Sequence, residues 1–399
     1  MSQFVLYDDA IARTFEPFAL SRPLGEVRAG ALLIRARWER ALGLPCAGFL
    51  GAAHLADFEE IGAAGAFAAA EVPAGTVVVN ARALPSLVDI GPVGVLALNG
   101  QVAAVRLTVG WPSARFADGT VSLEDVAADG PSHALSGGHW LAAPWDLIRH
   151  LSDMLADDVV ALGSMRPCVD PAPATVLGAH AVFIEAGAHV EPMVIIDAST
   201  GPVFVSSGAT ISAFSRLVGP CFVAPGAQVL GGKVGHCAIG EQCRVHGEVS
   251  HTIFIGHANK GHDGFVGHSI LGRWVNLGAA TATSNLKNTY GTVQLWTPTG
   301  AQSTGLQFLG TMFGDHAKTS IGTRLTTGSV VGTGANVVGS GISPKVVSPF
   351  IWGEGDALYD VERFLTVAAR MMSRRGVSLG EGGRRHLLRV FAARWTAGA

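Results

Sequence analysis

In the second half of the chain, hydrophobic residues recur every six positions from about residue 176. The hexads begin at Ile184, Val205, Val223, Ile239, Leu271, Leu277, Ile321 and Val331. This period differs from the period of two in a half-buried strand and from the 3.6 of an amphipathic helix. An aliphatic residue at the first position can stack inside a triangular prism, and small residues let the chain turn its corners. Three hexads would then form one coil of a parallel β-helix.

The first 140 residues show a different pattern, typical of an α/β domain. Short apolar runs at residues 4–7, 76–79 and 94–98 predict buried strands, and residues 31–42 have the apolar spacing of a helix. A connecting helix is expected over residues 144–162. Three prolines within residues 165–173 indicate a linker.

The hexad repeat is interrupted over residues 284–308, which predicts a loop that leaves the β-helix. Beyond it, helical spacing at 361–375 and 384–395 predicts two helices, which we expect to cover the open end of the β-helix. The chain is therefore expected to comprise an α/β domain over 1–165, a β-helix domain over 174–352 and a C-terminal helical extension over 353–399.

Composition excludes several classes of protein. Of 399 residues only 15% are charged and 52 are glycine, and the net charge is −3. These values argue against disorder and against nucleic acid as a partner. The longest apolar stretch, residues 62–79, is interrupted by Glu71 and Pro73, so no membrane span is expected. No signal peptide is predicted, so the chain is expected in the cytoplasm. Its five cysteines include no Cys-x-x-Cys pair and are expected to be free thiols.

One segment resembles a known family. The residues from Gly261-His262-Asp-Gly-Phe265 to Ala-Thr283-Ser-Asn285 resemble, without a gap, the acetyltransferase site of the GlmU family. From the first strand to Gly-Asp-His-Ala-Lys318, nearly the whole chain is also similar to a group of GlmU-family sugar nucleotidyltransferases. The resemblance implies a left-handed β-helix of hexapeptide repeats, acetyl-CoA as the acyl donor and an amino sugar as the acceptor.

The resemblance also assigns roles to residues of this chain. An amino-sugar ammonium must lose a proton before its nitrogen attacks a thioester, and a histidine is a suitable base near neutral pH. The resemblance gives that role to His262. It implies that Asn285 holds acyl-CoA and the developing negative charge, that Arg216 and Asn276 contact the sugar phosphate, and that Glu248 binds the sugar.

The chain departs from the family at several substrate positions. Ser250 stands where the family has a phosphate-binding lysine, and Phe265 and Leu286 stand where it has tyrosines. His316 or Lys318 is expected to replace the lost positive contact. These departures leave the identity of the sugar open, while they affect the acyl-transfer residues less.

Two further features of this region bear on its ligands. In the loop, Lys287 and Tyr290 are candidates for contact with acyl-CoA, and simple exposure to solvent is an equal alternative. Six histidines between residues 236 and 268 could suggest zinc. Spacings of five or six residues send neighbouring histidines to different faces of the prism, and no cysteine pair accompanies them, so no metal site is predicted.

The N-terminal domain lacks the residues that nucleotidyl transfer requires. The family places a glycine-rich loop after the first strand, but this chain has Leu6-Tyr-Asp-Asp-Ala there. Neither the family's catalytic lysine nor its Mg²⁺-binding aspartate is found, so Mg²⁺ is expected only if this domain is active. A degenerate nucleotidyltransferase-like domain is therefore predicted, in which Arg22 and Arg28 could still bind a nucleotide sugar.

Three hypotheses follow. The first is an acyl-CoA-dependent N-acyltransferase, a homotrimer, that acts on an amino-sugar phosphate or a nucleotide sugar. The second is an active sugar-1-phosphate nucleotidyltransferase in which the β-helix serves as a trimerisation module. The third is a non-catalytic protein that binds nucleotide sugars. The pair His262 and Asn285 favours the first hypothesis over the third, and the missing glycine loop counts against the second.

Overall fold

The structure is a computed structural model that describes residues 2–91, 94–127, 132–339, 341–353, 355 and 357–396. Its contacts divide the chain into two compact units. The first, here called the α/β unit, comprises Met1–Val27, Leu32–Asp146 and Ser378–Ala399. The second, the β-helix unit, comprises Arg28–Ala31 and Leu147–Val377. The domain boundaries expected at residues 165, 174 and 352 stay predictions.

The α/β unit contains a mixed sheet, which confirms the predicted α/β class. Strand Phe4–Tyr7 lies between two parallel neighbours, Cys46–Leu50 and Val77–Asn80. Phe4–Tyr7 and Val77–Asn80 are buried along their whole length, which explains their continuous apolar sequences. In spatial order the strands are Ser132–Ala134, Val95–Leu98, Gln101–Arg106, Val77–Asn80, Phe4–Tyr7 and Cys46–Leu50. The short pairs are Glu71–Val72 with Trp111–Pro112 and Ala83–Pro85 with Gly138–Trp140.

Helices and short strands complete the first part of the chain. Helix Ile34–Leu42 ends at Gly43, whose φ of 62° lies in the left-handed region that glycine adopts without strain. The helix expected over residues 144–162 is two helices, Asp146–Arg149 and Leu151–Gly163. The remaining elements are the helix Leu123–Val126, the 3₁₀ helices Ala12–Thr14, Leu24–Glu26, Ala53–Leu55 and Ser113–Phe116, and the strands Arg28–Ala29 and Leu32–Leu33.

The β-helix unit is a parallel β-solenoid of about ten turns, which confirms the predicted β-helix. Its strands form three faces. Face 1 consists of Cys168–Val169, Val182–Glu185, Val203–Val205, Cys221–Val223, Ala238–Ile239, Ile253–Phe254, Ile270–Leu271, Met312–Phe313, Val330–Val331 and Val346–Val347. Face 2 consists of Thr175–Gly178, Ile195–Ala198, Ser215–Val218, Gly232–Gly235, Val249–Ser250 and Val266–Gly267, followed by the pair Ala282–Thr283 and Arg324–Leu325. Face 3 consists of His189–Val190, Thr210–Ile211, Gln228–Val229, Arg244–Val245 and Asn259–Lys260, followed by the pair Lys318–Thr319 and Asn336–Val337.

The interior of the β-helix is filled by stacked aliphatic residues, as the hexads predict. Val205 pairs with Val223 in the next coil, and both are fully buried. Ile321 is an exception, because 77% of it is exposed. In that hexad, Thr323 and Leu325 are the buried residues, and Ile321 lies in the turn before them. The period of six was therefore correct there, but its phase was wrong.

The thiols of the chain differ widely in exposure. Cys221, Cys237 and Cys243 are fully buried in successive parts of the β-helix. Cys168 is exposed, and Cys46 in the α/β unit is half-buried. All five are free.

Two corners of the β-helix carry ladders of aromatic rings. His236, His251 and His268 occupy one corner, with ring centroids 4.3 and 4.5 Å apart. All three have a positive φ between 49° and 54°, a conformation that non-glycine residues rarely adopt. At a second corner, Trp274 stacks between His257 at 4.3 Å and His316 at 6.3 Å. His251 and His257, which are close in sequence, thus belong to separate ladders.

The segment predicted to leave the β-helix contains a hairpin of strands Gln294–Thr297 and Gly300–Ser303. The two C-terminal helices are Val361–Ser373 and Glu381–Trp395. The first belongs to the β-helix unit, where Phe364 packs edge-on against Phe350 at 5.1 Å. The second packs within the α/β unit. Among the described residues, no helix is both long and apolar enough to cross a membrane.

Candidate functional site

A column of polar residues runs along face 3. Arg244 lies beside Asn259 in the next coil, Asn259 beside Asn276, and Asn276 beside Lys318. Neighbouring strands are about 4.8 Å apart, so these side chains form one continuous polar row. The Asn259 amide Nδ2 donates a hydrogen bond of 2.9 Å to Asn276 Oδ1. The structure thus brings together two of the predicted binding residues, Asn276 and Lys318, and adds Arg244 and Asn259.

This column borders a cavity of about 450 Å³. His262, the predicted base, is exposed and lines the cavity together with Asn276. Three arginines line it as well, Arg244 from face 3 and Arg374 and Arg375 from the end of helix Val361–Ser373. None of the described lining residues carries a carboxylate. The cavity is therefore positively charged. Its three arginines were not predicted from the sequence.

A buried lysine holds the backbone at His262. Lys260 is only 2% exposed and pairs in register with Val245, a position inside the β-helix. Its ammonium donates hydrogen bonds to the carbonyl oxygens of His246, at 2.9 Å, and of His262. Burial lowers the pKa of Lys260 to about 8. Because a buried ammonium needs such partners, Lys260 fixes the turn that presents His262.

A second column lies on face 2. Arg216 pairs in register with Lys233. In the following coils Val234 pairs with Val249, and Val249 pairs with Val266. The residues just before the last two, Glu248 and Phe265, therefore continue the row that contains Lys233. The predicted residues Arg216, Glu248 and Phe265 therefore share one face. Lys233, which stands between Arg216 and Glu248, was not predicted.

Arg216 is already engaged within its own face. Its guanidinium Nη2 lies 2.6 Å from Asp197 Oδ2. This hydrogen bond lowers the pKa of the Asp197 carboxyl to about 2. The Arg216 side chain remains 49% exposed. A phosphate at this position would therefore share Arg216 with a carboxylate.

Asn285 lies at the opposite edge of face 2 from His262. Its Nδ2 is 2.9 Å from Nδ1 of His268, in the corner ladder. The side chains of Phe265 and Asn285 meet above Gly267. A Cβ atom added to this glycine would lie 2.5 Å from the Phe265 ring and 2.8 Å from Asn285 Nδ2. Within one chain, strand Val266–Gly267 separates the two predicted catalytic residues.

The other predicted residues lie apart from the cavity. His316 is 5% exposed in its corner ladder, and Lys318 donates a hydrogen bond of 3.0 Å to its carbonyl oxygen. Burial lowers the pKa of Lys318 to about 8. In the loop, Lys287 donates to the carbonyl oxygen of Thr292, and Tyr290 is 68% exposed.

The histidine ladder is held in the neutral form. Burial, reinforced by the neighbouring rings, lowers the pKa of His251 to about 3, and burial and His236 lower that of His268 to about 4. Ser250 Oγ lies 2.8 Å from Nδ1 of His251. In the described part of the chain, no group of three or more histidine, cysteine, aspartate or glutamate side chains is arranged to hold a metal ion.

The α/β unit has its own cavity of about 260 Å³ at the carboxyl ends of its parallel strands, where ligands of open α/β sheets bind. Arg82 is the arginine that lines it, and the carboxylate of Asp9 accepts hydrogen bonds of 2.6 to 3.0 Å from Arg82. Asn80 donates to Asp9 at 2.9 Å. Glu124 adds a second carboxylate. The charge of Arg82 is thus neutralised within the cavity.

The two arginines proposed to bind a nucleotide sugar are also buried in ion pairs. Arg22 lies 2.9 Å from Glu60, and Arg28 lies 2.7 Å from Glu241. Each arginine is 1% exposed. The structure therefore gives both a structural role inside its unit.

Comparison with known proteins adds one finding for the N-terminal region. Residues 4–166 match the family described as sugar nucleotidyl transferase. This match and the β-solenoid are together consistent with a GlmU-like nucleotidyltransferase joined to a hexapeptide β-helix. No curated protein matches the chain.

Proposed function

We propose that this protein, whose N-terminal region matches the sugar nucleotidyl transferase family, is an acyl-CoA-dependent N-acyltransferase. Its acceptor would be an amino-sugar phosphate or a nucleotide sugar, and acetyl-CoA its donor. The observation that carries the proposal is the position of His262, exposed on the wall of a cavity that also contains amide and arginine side chains. A base, hydrogen-bond donors and positive charge are the groups that this reaction requires.

His262 would accept a proton from the amino group of the sugar. The nitrogen then attacks the thioester carbonyl carbon, a C–N bond forms, the C–S bond breaks, and CoA leaves as a thiolate. His262 returns the proton to that thiolate. Asn285 would donate a hydrogen bond to the carbonyl oxygen as negative charge develops on it.

A complete site requires more than one chain under this proposal, because His262 and Asn285 lie at opposite edges of face 2. In a closed threefold assembly, the His262 edge of one chain can face the Asn285 edge of its neighbour, and each of the three sites is equivalent. We therefore expect a homotrimer. Light scattering at micromolar concentration measures this directly, and a monomer would count against the shared site.

Nucleotidyl transfer is the second candidate, because the family match covers residues 4–166. The pairing of Arg82 with Asp9 counts against it, since little positive charge is left for a triphosphate. Release of a nucleoside triphosphate from a UDP- or dTDP-sugar with pyrophosphate and Mg²⁺ would favour this candidate. Binding of nucleotide sugars without any turnover would favour the third, a non-catalytic protein.

The test is acyl transfer by the full chain to a panel of amino-sugar phosphates and nucleotide sugars, with the acylated product measured by mass spectrometry. His262→Ala is expected to lower the rate by roughly 10²–10⁴-fold, the usual contribution of a positioned base. The wild-type rate should rise with pH through a group near neutrality, and the variant should lack this rise. Asn285→Ala should weaken acyl-CoA binding as well as the rate.

A matched control is His189→Ala. His189 is another exposed histidine on face 3, several coils from the cavity, and its replacement should leave the rate unchanged. If His262→Ala retains the wild-type rate, the proposed base is wrong.

A further inference from the structure

The geometry points to a diphosphate-binding site formed by Arg244, Arg374 and Arg375 in the cavity beside His262. This inference deepens the proposed function by naming the group that a substrate carries there. Binding of a diphosphate is inferred from the arginines themselves, and only the reaction that follows rests on the proposed function. The shared chemistry is a diphosphate ester, which a nucleotide-sugar acceptor and CoA both contain.

The three arginines lie close enough to interact electrostatically. Burial lowers the pKa of Arg375, and the charges of Arg244 and Arg374 lower it further. Repulsion between these positive charges is unfavourable unless an anion binds among them. Among the described residues, none of these arginines forms an ion pair with a carboxylate.

Two carboxylates near the cavity lie outside its lining. Glu241 lies 2.7 Å from Arg28 and 3.8 Å from Arg273, and the two charges help to hold its pKa at about 2. Asp263 lies 3.3 Å from His246, and its side chain is 88% exposed. Neither residue lines the cavity. The positive charge of the cavity is therefore not neutralised by its surroundings.

The arginines are also presented with free donors. Arg375 donates one hydrogen bond of 2.7 Å to the carbonyl oxygen of Gln242, which fixes the guanidinium at the cavity. A guanidinium has five N–H donors, so most of those of Arg375 remain available. The side chains of Arg244 and Arg374 are exposed. Guanidinium groups bind phosphate oxygens in pairs of parallel hydrogen bonds, which a diphosphate can satisfy at two positions.

The dimensions favour more than a single phosphate ion. Small-molecule sites typically occupy about 300–1,000 Å³, and this cavity measures about 450 Å³. Asn259 and Asn276 add amide groups for a sugar or a ribose. The same cavity can therefore hold a diphosphate together with part of the group esterified to it.

Isothermal titration calorimetry on the full chain, without Mg²⁺, tests this inference with inorganic pyrophosphate, UDP and CoA as probes. Arg374→Gln is expected to weaken pyrophosphate binding at least tenfold, and Arg244→Gln with Arg374→Gln about 100-fold. Binding should also weaken as salt concentration rises. Arg370→Gln is the matched control, because Arg370 is exposed one turn earlier on the same helix and does not line this cavity.

The two nucleotide probes identify the source of the diphosphate. If the arginine variants weaken UDP binding and leave CoA binding unchanged, the site takes the acceptor, and the opposite result assigns it to the donor. The inference is overturned if the wild type binds no pyrophosphate, or if both arginine variants bind it as tightly as the wild type does. Thermal unfolding of each variant within a degree or two of the wild type excludes misfolding as the cause.

Failure of this inference can be distinguished from failure of the proposed function. His262→Ala should bind pyrophosphate within two- to threefold of the wild type, because it removes the base and keeps the arginines. If acyl transfer depends on His262 but pyrophosphate binding does not depend on the arginines, only the diphosphate site is wrong. If the arginines bind pyrophosphate and no acyl transfer occurs, the proposed reaction is wrong.

Discussion

The two cavities differ in how their arginines are paired. In the α/β unit, Arg82 lies in the cavity at the carboxyl ends of the strands, but Asp9 binds it at 2.6 Å. In the β-helix unit, Arg244, Arg374 and Arg375 line a cavity whose described lining contains no carboxylate. Each cavity thus contains arginine, but only the second has cationic charge available for a ligand. An arginine in a cavity can bind an anionic ligand only if no carboxylate of the protein already pairs with it.

Burial shifts the pKa of one group in each unit in opposite directions. In the α/β unit, burial raises the pKa of Asp8 to about 7. In the β-helix unit, burial lowers the pKa of His251 to about 3. Burial favours the neutral form of both groups, but Asp8 gains its charge as the pH rises and His251 gains its charge as the pH falls. Ionisation of Asp8 should therefore destabilise the fold as the pH rises, and protonation of His251 should destabilise it as the pH falls.

The largest expected effect tests the paired arginine. Arg82→Ala leaves the carboxylate of Asp9, whose side chain is 13% exposed, without its main partner. Breaking a buried ion pair costs about 3–5 kcal/mol of unfolding free energy. Urea unfolding monitored by circular dichroism measures this loss. The control Arg374→Gln, at an exposed position, should change stability by less than about 0.5 kcal/mol. Equal losses in the two variants would remove the contrast between the cavities.

Asp8→Asn tests the buried acid of the α/β unit. The pKa of Asp8 is raised from 3.8 to about 7, so its stabilising contribution is complete below about pH 4 and is lost as the pH rises through 7. The variant, which stays neutral, should be more stable than the wild type at pH 8 by roughly 2–4 kcal/mol. At pH 5 the difference should be smaller, about 1–2 kcal/mol. An unchanged melting temperature at pH 8 would show that burial does not raise the pKa of Asp8.

His251→Asn tests the ladder of the β-helix unit. The unfolded chain takes up a proton near pH 6.5, whereas the folded pKa is about 3, so stability is complete above 6.5 and is lost as the pH falls through 3. The variant should lose less melting temperature than the wild type between pH 7 and pH 4.5. Asparagine suits this position because φ is 49°. An equal loss in both proteins would assign the acid sensitivity to other groups.

The smallest expected effect concerns the helix that carries Arg374 and Arg375. Asp360 caps this helix, since its carboxylate accepts a hydrogen bond of 2.8 Å from the Arg363 amide. Asp360→Ala should cost about 1 kcal/mol of stability, and fraying of the helix should weaken pyrophosphate binding by no more than a few fold. Asp360→Ser keeps a capping oxygen and should restore both properties. Calorimetry and thermal unfolding measure these changes.

Much of the fold could be predicted from the sequence because its signals are local. Strand Phe4–Tyr7 was predicted with its observed bounds, and the hexads indicated the β-helix. The cavity arginines were not predicted, because the contact of helix Val361–Ser373 with face 3 depends on packing between distant segments. Lys233 was missed for a related reason. Its place between Arg216 and Glu248 follows from the register of successive coils, which differ in length.

The five thiols differ in exposure, so their reactivity can report on the opening of the fold. A thiol reagent added to the folded protein should modify Cys168 first and Cys46 more slowly, because their exposure differs. Cys221, Cys237 and Cys243 have no exposed surface, and burial raises the pKa of each. Their modification would require coils to separate, so labelling read out by mass spectrometry can follow the opening of the β-helix without any introduced probe. The same grading marks Cys168 as the thiol most open to oxidation during storage.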